Sequence, residues 1–369
     1  MESLAQCLED NRKKPRIPCV YIFFNVFIMG ILGIPSLLQL DILLREEKVP
    51  FLFLASDSTI ARVLRLMWLK PLRIILKTIC LNVIRLGKGK IELPKVGRVK
   101  IGIIDGTSFG RLLASVISIA GEVDMPIDIE PFESKGKELP ASQRLLQRFL
   151  QTYGRSFVDF MVGDGLYATR DFFSFCIDRL GCHGVVKTDE KRLQVVEFAE
   201  GLFNQYPGGD EYIEHVKGID SLRKEEYEVW ATSYIYWDGL SYQLKVARVM
   251  DTHLAGKYKG KTDVYYVIAT ATELPAIAMR ELAKIRWHIE NETFRALNEQ
   301  CHSKHAFVRN EGMIVLLLIL FASFITIQVY RTLVEEYKEG LNLKRWHRVS
   351  FRLLREDFLK TLRHYEDTS

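Results

Sequence analysis

Three acidic residues stand where metal chemistry could be done. Asp105 follows the apolar run Val99–Ile104 (VKIGII), Asp164 follows Phe157–Val162 and Gly163, and Glu290 lies within the helix-forming stretch Pro275–Gln300. Carboxylates gathered from neighbouring strand ends and a crossing helix can hold two divalent ions ~3.5–4 Å apart. One ion activates a nucleophile at a phosphodiester, and the other stabilises the leaving oxygen. Magnesium suits such a set, because it takes hard oxygen ligands and keeps positions open for phosphate oxygens. Each acid also has a plainer reading. Asp105-Gly106 and Asp164-Gly165 are turn dipeptides, and Arg286 with Glu290 has the spacing of an i,i+4 helix salt bridge worth ~0.3–0.5 kcal/mol. Their order along the chain is what joins them.

The elements that must position these acids can be read from periodicity. Val99–Ile104 is a short strand, and Leu112–Ala120 and Val123–Glu130 are two more, separated by Gly121. Glu138–Thr152 has helical spacing of its apolar residues. Phe157–Val162 is a fourth strand, Thr169–Leu180 a helix stopped by Gly181, and Gly184–Lys187 a fifth strand. From about 189 to 272 the chain turns β-rich, with Tyr227–Tyr236 and Leu240–Val249 flanking the hairpin signal Asp238-Gly239, and Tyr265–Thr270 beyond. Pro275–Gln300 then reads as one long helix. The fold class expected is α/β: a ribonuclease-H-like catalytic core with a β-strand insertion and an N-terminal helical domain. In that topology the first and fourth strands are neighbours, and the late helix supplies the third acid.

Residues 1–95 read as a helical, DNA-binding domain. The apolar stretch Cys19–Pro35 follows the basic lead-in Asn11–Arg16, Ser36–Glu46 is amphipathic, Ser56–Thr59 offers caps for a helix to about Trp68, and Pro71 starts another. The boundary falls at Gly87-Lys88-Gly89-Lys90 and Pro94. Residues 96–330 form the catalytic domain with its insertion at about 189–272, and residues 331–369 form a basic helical tail. Between Ser56 and Lys100 eleven basic residues face only Asp57 and Glu92. Lys344, Arg345, Arg348, Arg352, Arg355, Lys360 and Arg363 repeat the pattern, which suits a phosphate backbone.

The bulk numbers narrow the alternatives. The chain has 369 residues, 48% of them hydrophobic, which is ample for a core and argues against general disorder. Its six cysteines form no CxxC pair, and no signal-peptide pattern is present, so a reducing cytoplasm is expected. Cys301, His302 and His305 lack the second ligand pair that a zinc site needs. Cys19–Pro35 and Met313–Val329 approach membrane-span length, yet both carry polar or helix-breaking residues, so they are expected as buried helices rather than as spans. A membrane protein with two short spans is the alternative from another class.

At three places the sequence resembles a known family. Ile103–Phe109 (IIDGTSF), Val162–Thr169 (VGDGLYAT) and Ile285–Asn298 (IRWHIENETFRALN) are similar to segments of the DDE transposases of bacterial insertion sequences, in the IS-four group that includes the transposon five enzyme. That group carries Tyr, two residues, Arg, three residues, Glu, six residues, Lys along one helix. Arg286 and Glu290 match it, whereas Ala283 and Leu297 stand where the Tyr and the Lys are expected. The resemblance implies that Asp105, Asp164 and Glu290 bind two Mg2+ or Mn2+ ions for DNA cleavage and strand transfer. It also implies that Arg286 grips a phosphate, that Trp287 stacks on an unpaired base, and that Arg295 or Lys304 supplies the missing cation. The partners expected are double-stranded DNA with terminal inverted repeats, target DNA and a second copy of the chain in a synaptic complex. The localisation expected is cytoplasmic, at the nucleoid. A catalytically decayed DNA-binding relative is the alternative within the family.

Overall fold

Runs of β-branched and apolar residues become the strands, and the capped amphipathic stretches become the helices. A computed structural model describes residues 8–49, 52–134, 136–309, 311–340 and 350–368. The chain forms a mixed α/β fold. It divides into two compact units: the first contains Met1–Gly89, Gly106–Leu145 and Asn291–Ser369, and the second Lys90–Asp105 and Leu146–Glu290.

The first unit is mainly helical. Helix α1 (Cys19–Leu32) ends at Gly33, whose φ of 65° is the left-handed conformation that closes a helix. Helices α2 (Leu37–Arg45) and α3 (Asp57–Leu64) start at Ser36 and Ser56, whose hydroxyls accept the N–H of Gln39 and Thr59. Helix α4 (Leu69–Arg85) takes Pro71 in its first turn. After α4 the chain enters the second unit with a small two-stranded sheet, β1 (Ile91–Leu93) with β2 (Gly97–Val99), and the long strand β3 (Ile101–Phe109), which returns to the first unit from Gly106 on. An antiparallel hairpin of β4 (Leu112–Ala120) and β5 (Met125–Phe132) then leads to helix α5 (Glu138–Tyr153), where Ser142 bonds Ser115.

The apolar stretch near the end of the chain is the 30-residue helix Glu311–Gly340, which packs on β5, α1, α3 and α4. It is long and apolar enough to cross a membrane, and α1 with α2 would be a second candidate were that pair, bent by 103°, counted as one span. Within this unit, 83% of the long helix's most apolar window is buried. Helices α1, α3 and α4 and strand β5 form its surroundings within the unit. Ser323 donates from within it to the Phe27 carbonyl of α1.

In the second unit the strands run in the order β3-β6-β7-β11-β10-β9-β8. Here β6 is Phe160–Gly163, β7 His183–Thr188, β8 Ile213–Asp220, β9 Glu225–Ile235, β10 Leu244–His253 and β11 Thr262–Ala269. β3, β6 and β7 are parallel, and β11, β10, β9 and β8 continue as an antiparallel meander. Between β6 and β7 lie α6 (Arg170–Ser174) and a π-helical turn over Phe175–Leu180. Helix α7 (Gln194–Gln205) follows β7, and α8 (Ala276–His288) follows β11.

Two sequence expectations change, and a third is refined. The first strand does not stop at Asp105-Gly106, because β3 continues to Phe109 and turns at Gly110 (φ 60°). The region 189–272 is β-rich as expected and holds one helix besides, α7, with Val195, Val196, Ala199 and Phe203 buried. The single helix expected over Pro275–Gln300 is interrupted by a π turn at Ile289–Thr293 before α9 (Phe294–Cys301). A last helix, α11, covers Phe351–Thr368, so the long helix Glu311–Gly340 is α10.

Candidate functional site

Asp105 and Asp164 are carried by adjacent parallel strands. The last pair of the register is Ile103 with Val162, and each aspartate lies two residues further on, Asp105 within β3 and Asp164 one residue past the end of β6. Parallel strands in register bring such residues level, roughly 4.8 Å apart in the backbone, with side chains on one face. Asp105 is buried, 6% exposed, where β3 passes beyond the last paired residue of β6. A turn would have exposed it, so the turn reading of Asp105-Gly106 is overturned. Gly106 is needed for space, because a Cβ there would collide with the Glu138 carboxyl.

Asp164 does sit at a turn. Its Oδ1 accepts the Leu166 N–H at 3.0 Å and caps the short 3-10 turn Gly165–Tyr167. The flanking glycines allow close packing: a Cβ at 163 would meet the Tyr167 side chain at 2.9 Å, and one at 165 the Thr188 hydroxyl at 2.8 Å. The carboxylate is thereby fixed at the strand end with partial exposure. Asp159, the residue just before β6, is structural: its Oδ2 accepts the Lys100 N–H at 2.7 Å and extends the contact between the two strands.

Helix α8 brings the third acid. Arg286 Nη2 donates to Glu290 Oε2 at 2.9 Å, the i,i+4 bond that a helix dictates, and Nη1 donates to Asp105 Oδ2 at 3.3 Å. One guanidinium therefore stands between a buried aspartate and a half-exposed glutamate. Its own side chain is nine-tenths buried, and its Nε has no hydrogen-bond partner. Glu290 opens the π turn Ile289–Thr293. Single π turns inside helices recur at functional sites, because the extra residue re-aims the side chains around it.

The remaining sequence candidates separate. Trp287 is 55% exposed and so takes no part in the core. Arg295 is exposed on α9 and pairs with Glu299 at 2.7 Å, and Lys304 is exposed with its backbone N–H bound to Asn298. Ala283 and Leu297 are both buried, so the two positions that depart from the family pattern serve packing. The π turn also limits the argument from one helix face. It holds for Arg286 and Glu290, and not for residues beyond 293.

Part of the basic surface is committed internally as well. Arg73 pairs with Asp128 at 2.9 Å, Lys88 pairs with Glu122 and Glu336, and Arg355 donates to the carbonyls of Ile31 and Gln300. Arg62, Arg65, Lys70 and Arg85 remain exposed on α3, α4 and the turn between them. Lys344, Arg345 and Arg348 lie outside the described residues. Cys301 is buried, which pushes its thiol up to about 12, and His302 contacts the Gly33 carbonyl at 3.2 Å.

Sequence reasoning missed an ionic cluster beneath the site. Arg280 of α8 is 1% exposed and pairs with Asp251 at 2.7 Å, Glu225 at 2.8 Å, Glu281 at 2.9 Å and Asp220 at 3.3 Å. Lys284, one turn on, binds Glu225 and Asp251 at 2.8 and 2.9 Å. Burial alone would raise the Asp251 carboxyl. The charges of Arg280 and Lys284 outweigh it and hold that carboxyl below the usual range. The cluster fixes α8 on β8, β9 and β10, and with it the rotation that presents Arg286.

The donor set suits a hard divalent cation, since Asp105 and Asp164 offer level carboxylate oxygens on one sheet face and Glu290 offers a third. Among the described residues, however, no three His, Cys, Asp or Glu side chains converge closely enough to enclose an ion. Arg286 takes the position of the cation between Asp105 and Glu290. The chain matches no known protein-family model, and no curated protein matches it either.

Proposed function

We propose that this protein is a DDE-type transposase with a ribonuclease-H-like core, which cleaves DNA at transposon ends and joins the freed strand to a target. The observation that carries the reading is the level placement of Asp105 and Asp164 on adjacent parallel strands, with Glu290 tied to Asp105 through Arg286. Asp105 and Asp164 would hold Mg2+ or Mn2+ from the sheet side and Glu290 from the helix side. Bound there, the ions supply Lewis acidity at the phosphodiester and lower the pKa of an attacking water. Arg286 neutralises the acids in the free protein and, once a metal compensates them, offers its planar fork to a phosphate. Trp287, exposed beside Arg286, presents a ring on which an unstacked base can rest. Arg62, Arg65, Lys70 and Arg85 supply exposed charge to the duplex backbone.

Cleavage of labelled terminal-repeat duplex in Mg2+ tests this reading. Asp105→Asn, Asp164→Asn and Glu290→Gln should each abolish cleavage, a loss of at least a thousandfold, while duplex binding stays within a few fold. Full activity in any of the three removes that residue from the site. The second reading, a DNA-binding relative without catalysis, is favoured by the guanidinium seated between the acids and by the apolar residues at 283 and 297. It predicts duplex binding with no cleavage by the wild type in Mg2+ or Mn2+.

A further inference from the structure

The row of strand ends that holds the two aspartates has a third member. β6 and β7 pair Gly163 with Val186, so the next step brings Asp164 level with Lys187. Together with the β3–β6 register, this lines up Asp105, Asp164 and Lys187 across three parallel strands, their side chains on one face. Nothing in the sequence flagged this lysine.

Its surroundings are unusual for a lysine. The ammonium lies 4.7 Å from the centroid of the Tyr265 ring, whose hydroxyl is anchored on Asp251 at 2.7 Å. Burial is the largest influence on the amine and lowers its pKa. The charge of Asp189 pulls it back up, and Arg286 and Lys284 lower it by repulsion, each less than Asp189 raises it. Of these three cations, Arg286 is committed to Asp105 and Glu290, and Lys284 to Glu225 and Asp251. Lys187 makes no ion pair among the described residues. A partly desolvated ammonium facing two other cations, with no carboxylate in contact, has more to gain from an anion than a solvated lysine does.

We propose that Lys187 binds a non-bridging oxygen of the substrate phosphodiester, on the sheet face that carries Asp105 and Asp164. The inference rests on the transposase reading for the identity of the ligand, a DNA phosphodiester. Lys187 acts as a point charge that positions the phosphate, and transfers no proton. The Tyr265 ring holds its stem in place through a cation–π contact.

The experiment compares wild type, Lys187→Met and Lys187→Arg, each as the full chain, for binding of a fluorescent DNA duplex in Ca2+ across a series of salt concentrations. Lys187→Met should weaken binding about fivefold near physiological salt and lower the slope of log K against log salt by about one, the signature of one lost phosphate contact. Lys187→Arg should restore most of both. Because the amine makes no ion pair among the described residues and a Met side chain can rest on the same Tyr265 ring, the Met variant should unfold at the same urea concentration as wild type or a higher one. A lower midpoint would make the residue structural and overturn the assignment. Tight binding by wild type with an unchanged affinity and slope in Lys187→Met would overturn it too, and leave the transposase reading standing. Absence of duplex binding by wild type would remove both.

Discussion

Arg286 gathers the site's chemistry into one side chain. It balances Asp105 and Glu290 with two charge-assisted hydrogen bonds while its Nε stays unpartnered in a buried setting, so the arrangement is stable without being fully satisfied. A divalent cation entering the site must compete with this guanidinium. Arg286→Gln should therefore bind Mn2+ more tightly, by roughly tenfold or about 1.4 kcal/mol. Calorimetric titration of the two proteins with Mn2+ decides it, and equal affinities would show that the guanidinium does not compete. The pairing of Arg286 with Glu290 was legible in the sequence, because four residues along a helix is one face whatever the rest of the fold does. The bond to Asp105 was not, since it spans 181 positions. Trp287 was equally illegible: a tryptophan on a helix of mixed composition has no periodic sign of which side is wet.

At the scale of elements, α8 and the strands under it depend on a buried ion cluster. Arg280 faces four carboxylates at 1% exposure, and removing it strips the buried Asp251 and Glu225 of one of the two Arg/Lys charges they share, leaving Lys284. Arg280→Met should cost about 3–5 kcal/mol in urea denaturation, the range for breaking one side of a buried pair. The cluster also sets a dependence on acid. Burial raises the Asp220 carboxyl, but Arg223 and Arg280 more than reverse this and bring it to about 2, and Asp251 is lowered likewise. Both carboxyls are depressed in the folded state, so their stabilisation is complete above about pH 4 and is lost as pH falls toward 2. Urea midpoints measured between pH 5 and pH 2 should fall steeply in wild type. In Asp220→Asn the fall should be shallower.

Most strands of the second unit could be read from their apolar runs, and Gly239 marks the turn after β9 as Asp238-Gly239 foretold. Strand β8 escaped because its sequence, IEHVKGID, is mostly polar and half exposed, so it carries little hydrophobic alternation. Helix α7 escaped because its buried residues are packed in the same apolar vocabulary as the strands around it. The Arg280 cluster joins residues 29, 55 and 60 positions apart, a separation that no local pattern encodes.

Across the whole molecule, the apolar stretches at either end of the sequence meet in the first unit. α10 contributes an unbroken buried run from Met313 to Ile325, and α1 lies against it. Leu317→Ala, at a fully buried position, should lower stability by about 2–5 kcal/mol in urea, with the spread set by how far the neighbours relax into the cavity. The length and hydropathy of α10 were plain in the sequence. That it would be clad by other helices was not, because a buried core helix and a membrane span have the same composition.

The seating of α1 on α10 has a consequence for how the protein is made. α1 emerges from the ribosome well before α10, the helix that covers it. At about 5–20 residues per second the gap is roughly 15–60 s. Throughout that interval a nascent segment carrying Phe23, Val26, Phe27 and Met29 has its early neighbours, Phe53 and α3, but lacks the cover of α10. Efficient production should therefore depend on a holding chaperone during translation, more than the finished protein's stability would suggest.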